Sequence, residues 1–62
     1  MQFELGLCYA VRRANGQVVT FRYEGVNENG EDVMETPPGS GKWVASHGVV
    51  GAYKEWWEIP CP

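Results

Sequence analysis

The sequence predicts an all-β domain of about five antiparallel strands, closed into a small, partly open barrel or left as an open meander. Three observations carry this. Asn15-Gly16 and Asn29-Gly30 stand fourteen residues apart with strand-like sequence on both sides of each, and Asn-Gly favours the two-residue type I′ hairpin turn. Residues 2–13 alternate in side-chain character with a period of two, as a half-buried strand does. The aromatic content, 13% of 62 residues, supplies a dense core to a chain too short to bury much surface otherwise.

The first strand is expected over residues 2–13. Phe3, Leu5, Leu7, Tyr9 and Val11 fall on one face, and Glu4, Gly6, Cys8, Ala10 and Arg12 on the other. The small residues Gly6, Cys8 and Ala10 leave room for a second element to lie close, or for the strand to bend. The second strand is expected over 17–27, with Val19, Phe21 and Tyr23 on one side and Thr20, Arg22 and Glu24 on the other. The third, over 31–36, is shorter and more polar and is anchored by Val33 and Met34. Thr36-Pro37-Pro38-Gly39-Ser40-Gly41 interrupts the ladder, because proline lacks a donor and glycine frees the backbone. Strand character returns over 42–46, and His47-Gly48 marks a turn.

The last segment reads two ways. Val49, Tyr53, Trp56 and Trp57 share a helical face, whereas Gly48 and Gly51 each weaken a helix by about 1 kcal/mol relative to Ala. Trp56-Trp57-Glu58-Ile59 before Pro60 equally suits a terminal strand. A turn near 49–53 followed by a strand over 54–59 is the preferred reading, with a helix as the alternative. Residues 1–62 form a single domain on this view.

The pattern Phe3-x-x-Gly6-x-x-Tyr9-x-Val11, followed by Thr20-Phe21-x-x-Glu24-Gly25, resembles small SH3-like β-barrels, including short phage-encoded proteins of unknown function. The resemblance covers roughly residues 3–25 and the strand rhythm. It implies the barrel and a phage or mobile-element origin, and it brings no functional residue with it.

The N-terminal residues lack the basic start and apolar stretch of a signal peptide, and no run of 18 or more apolar residues occurs. A cytoplasmic protein is therefore expected. Cys8 and Cys61 then read as free thiols, with a staple between the first and last strands as the alternative.

The net charge of −3 is unevenly spread. Arg12, Arg13 and Arg22 outweigh Glu4 in the first 23 residues, while Glu24, Glu28, Glu31, Asp32 and Glu35 crowd the second Asn-Gly pair. That acidic block is expected to project at a hairpin tip, either as a solvated turn or as a contact for a basic partner.

Catalytic chemistry finds little to use. Pro38-Gly39-Ser40-Gly41-Lys42 has Thr36 and Trp43 where a phosphate-binding loop needs Gly and Ser or Thr. His47, Cys8 and Cys61 lack the paired spacing of a metal site. A single histidine leaves no nucleophile–base–orienter set. No enzyme activity, cofactor or metal is expected.

Binding is better supplied. Neighbouring strand residues face opposite ways, so one of Trp56 and Trp57 should enter the core and the other should be an interface anchor. Trp43 and Tyr53 could extend that patch. The expected function is a non-enzymatic protein-interaction module, in one form a phage-type accessory protein modulating a host factor. The alternative is nucleic-acid binding through Arg12, Arg13 and Arg22 with nearby aromatic rings, although a negative chain with three arginines would hold a strand weakly and with steep salt dependence. Self-association across an aromatic face or an unpaired edge strand is a third reading.

Overall fold

The computed structural model describes residues 3–45 and 53–62. Five strands form one antiparallel sheet: β1 (Cys8–Arg13), β2 (Val18–Val26), β3 (Asp32–Glu35), β4 (Trp43–Ala45) and β5 (Tyr53–Ile59). Their spatial order is β4-β3-β2-β1-β5. The first four strands are a meander, and β5 returns to pair with β1. No helix occurs among the described residues, and the helical alternative for the last segment is overturned over 53–59, where a strand runs. The expected His47-Gly48 turn and most of the 49–53 turn lie outside the described residues.

Both Asn-Gly hairpins form, but through a different turn. The Gly16 N–H donates to the Arg13 carbonyl and the Arg13 N–H to the Gln17 carbonyl; Gly30, Asn27 and Glu31 repeat the arrangement. Only the glycines take positive φ, 90° at Gly16 and 79° at Gly30. Type I′ would require positive φ at the asparagines as well. These are three-residue loops, a type I turn closed by a left-handed glycine. Each asparagine-bearing turn is locked by a side-chain bond: Asn15 Oδ1 accepts from the Gln17 N–H, and Asn27 Oδ1 accepts from the N–H groups of Asn29 and Glu31.

The first strand begins at Cys8, not at residue 2. A turn from Glu4 to Leu7, with Gly6 at φ 85°, peels the preceding segment off the sheet. Leu5 consequently points to solvent and is 71% exposed, against the alternation that placed it with the core. Phe3 folds back over the sheet instead. Its ring centroid lies 4.7 Å from Tyr9, 5.1 Å from Phe21 and 5.2 Å from Trp56. Tyr9 Oη accepts the Glu4 N–H and so fixes the fold-back.

Phe3, Tyr9, Val11, Phe21, Tyr23 and Met34 make the core, with Leu7, Val19 and Trp56 packed against it. Each aromatic pair adds about 0.5–1.5 kcal/mol beyond the area that it buries. Met34, fully buried, anchors β3, while Val33 is only half-buried. On the opposite face of β1, Cys8 and Ala10 are also buried.

Cys8 and Cys61 form a disulfide, so the free-thiol expectation is corrected. The register explains it: Cys8 stands opposite Ile59, which brings the chain two residues further on alongside β1.

Candidate functional site

The register assigns the residues of the face turned away from the core. One row crosses the whole sheet: Ile59, Cys8, Arg22, Glu35 and Trp43. The next holds Trp57, Ala10 and Thr20. Small side chains at Ala10 and Thr20 keep the middle of this face low, with a tryptophan toward either edge.

The two adjacent tryptophans part company as the period of two requires. Trp56 stands opposite Val11, meets Phe3 and Tyr9 edge-on and packs, half-buried, against the core. Trp57 stands opposite Ala10 and is 37% exposed. The Arg12 guanidinium carbon lies 5.7 Å from the Trp57 ring centroid, and Arg12 Nε donates to Glu55 Oε1. Such a cation over an exposed ring contributes about 0.5–1 kcal/mol. Carboxylate, guanidinium and indole therefore form one ordered cluster on the outer face.

Tyr53 begins the same strand, opposite Arg13 across a register shift, and is also exposed. Trp43 is more exposed still, at 58%, but it sits on β4. Four strand spacings separate it from β5, about 19 Å along the sheet. The four aromatic candidates thus resolve into Trp56 packed against the core, Trp57 on the outward face of β5, Tyr53 beyond the register shift and opposite Arg13, and Trp43 distant on the same outward face as Trp57.

Of the three arginines, Arg12 is held as described. Arg22 donates through Nε to Glu24 (3.1 Å) and through Nη2 to Glu35 (2.7 Å). These contacts, the Glu24 hydrogen bond first, raise the guanidinium pKa further. Arg13 is half-buried at the end of β1.

Sequence reasoning missed the role of Glu35. It was grouped with a solvated acidic tip, yet it is buried and its carboxylate accepts from the Gly39 N–H (2.8 Å), the Gly41 N–H (2.9 Å) and Arg22. The Gly39 bond, then the Gly41 bond and Arg22, hold its pKa below the ordinary carboxylate value against the opposing effect of burial. The glycine-rich loop that superficially suggested a phosphate cradle therefore directs those amides at a carboxylate of its own chain. The signal for this was an acidic residue directly before the Thr36–Gly41 loop. Two more members of the acidic block are also engaged: Glu24 by Arg22, and Asp32 by the Tyr23 hydroxyl, which donates at 2.6 Å. That bond, with burial, pushes the Tyr23 pKa up to about 12. Glu28 is the exposed acid of the second hairpin.

Among the described residues, no three His, Cys, Asp or Glu side chains come together as a metal site, and no helix is long and apolar enough to cross a membrane. Comparison with protein families, with characterised proteins and with solved structures gives no match.

Proposed function

We propose that this chain is a non-enzymatic protein-interaction module anchored by Trp57. The observation that carries the proposal is the outward placement of that indole, ordered beneath Arg12 while its neighbour Trp56 packs against the core. A pre-ordered tryptophan loses little freedom on binding, and Trp and Arg are the residue types most enriched at interface hot spots. Tyr53 offers a further exposed ring at the start of β5, and Trp43 a second contact across the face of Trp57. Glu28 at the second hairpin contributes the acidic share of recognition.

An SH3-like barrel is the architecture we assign to this module. The strand order, with β5 returned beside β1 at the end of a four-stranded meander, supports it. A phage-type accessory protein acting on a host factor is one concrete form of the proposal. Cytoplasmic residence belongs to that form and makes a chemical demand: reducing compartments keep thiols apart, so the domain would have to hold without the Cys8–Cys61 bond there. The disulfide itself favours an oxidising setting.

Nucleic-acid binding is the weaker reading, because Arg12 and Arg22 already hold carboxylates and the chain is net negative. The immobilised domain and its Trp57→Ala and Trp43→Ala variants, each verified as folded by circular dichroism, separate the readings. Loss of a retained protein with Trp57→Ala, by tenfold or more, is the expected outcome. Retention within tenfold overturns the anchor. A nuclease-sensitive target shifts the assignment to the arginines.

A further inference from the structure

The Cys8–Cys61 bond presents its two sulfurs unequally. Cys8 sits in β1, between β2 and β5, and is 1% exposed. Cys61 lies beyond the end of β5 and is exposed. Its Sγ is 3.6 Å from the Gly6 carbonyl oxygen, on the turn that precedes β1. Thiol–disulfide exchange depends on which sulfur a thiolate can reach and on how readily the other one leaves. Access here differs sharply between the two.

We propose that Cys61 Sγ is a modification site for a small-molecule thiol, attacked as the electrophilic sulfur while Cys8 leaves. The incoming thiolate forms an S–S bond to Cys61 and the Cys8–Cys61 bond breaks. Its electron pair departs on Cys8 Sγ, which then takes a proton from water. One disulfide is exchanged for another, so the thiol is the only co-reactant. The alternative attack, on Cys8 Sγ, is closed by burial. A thiolate would have to enter the sheet between Ile59 and Arg22, the residues that pair with Cys8 on its two sides. Charge decides less than access. A guanidinium beside a thiolate favours its formation, and Arg22 stands opposite Cys8. That guanidinium is already shared between Glu24 and Glu35, which offset it.

Peptide mapping of the wild-type protein held in excess reduced glutathione tests the assignment. After an acid quench and alkylation of free thiols, tryptic cleavage after Arg12 and Lys54 separates the two cysteines. Glutathione on Cys61 should exceed that on Cys8 by about tenfold or more, and the preference should collapse in urea, where access is equal. Comparable adducts on the folded protein, or more on Cys8, overturn the proposal. A preference that survives urea also does so, because it then belongs to the neighbouring residues and not to burial. The variants Cys8→Ala and Cys61→Ala, verified as folded by circular dichroism and offered oxidised glutathione, repeat the comparison without ring closure. Cys61 in the first should couple about tenfold faster than Cys8 in the second. Equal rates in the folded variants overturn the assignment.

Discussion

Tyr23 and Glu35 define how this small domain should respond to pH, in opposite directions. The Asp32 bond favours the protonated phenol, so the folded pKa of about 12 exceeds the ordinary phenol value of 10.0. Its stabilisation is complete below pH 10 and is lost as pH rises through about 12. A tyrosinate absorbance titration should show a late phase near pH 12 that Tyr23→Phe abolishes. Glu35 has a depressed folded pKa, so its contribution is present above the ordinary carboxylate range and disappears as pH falls through its folded value. Glu35→Gln should lower the melting temperature at neutral pH and flatten the acid limb of the stability profile. Neither role was legible in the residues. Charge clustering along the chain placed Glu35 and Asp32 at a hairpin tip; only the sheet faces and the returning loop reveal that one is buried beneath glycine amides and the other holds a phenol.

Elements were read more successfully than their ends. Period-two alternation and the Asn-Gly pairs located the strands of the meander, because both signals are local. The turn type was misread because a glycine after asparagine serves a three-residue loop as well as a two-residue one. The start of β1 was misread because the turn at Gly6 interrupts an apolar alternation that continues through it. The division of labour between the tryptophans was legible, but which of them faced the core depended on register. It has a measurable consequence in urea unfolding. Trp56→Ala should cost about 3–5 kcal/mol, as removal of a packed ring does. Trp57→Ala should cost about 1 kcal/mol, its cation contact and little more. Equal losses would mean that both rings are core residues.

At the scale of the whole molecule, the Cys8–Cys61 link closes a loop with a sequence separation of 53. Chain-entropy reasoning assigns such a loop about 4 kcal/mol of stability, comparable to the roughly 3–5 kcal/mol that a hydrophobic core of this size provides. Reduction should therefore lower the urea midpoint sharply, as should joint Cys8→Ala and Cys61→Ala substitution. An unchanged midpoint would show that the aromatic core is sufficient. The sequence made this bond conceivable, since the first and last strands of a small barrel often lie side by side, but pairing required the β1–β5 register. The same bond alters the meaning of chain cleavage. Everything between the two cysteines is a covalent ring, so a protease cutting there once does not divide the molecule. It yields a single species heavier by one water, with two new ends wherever the cut fell, still stitched together at the old ones.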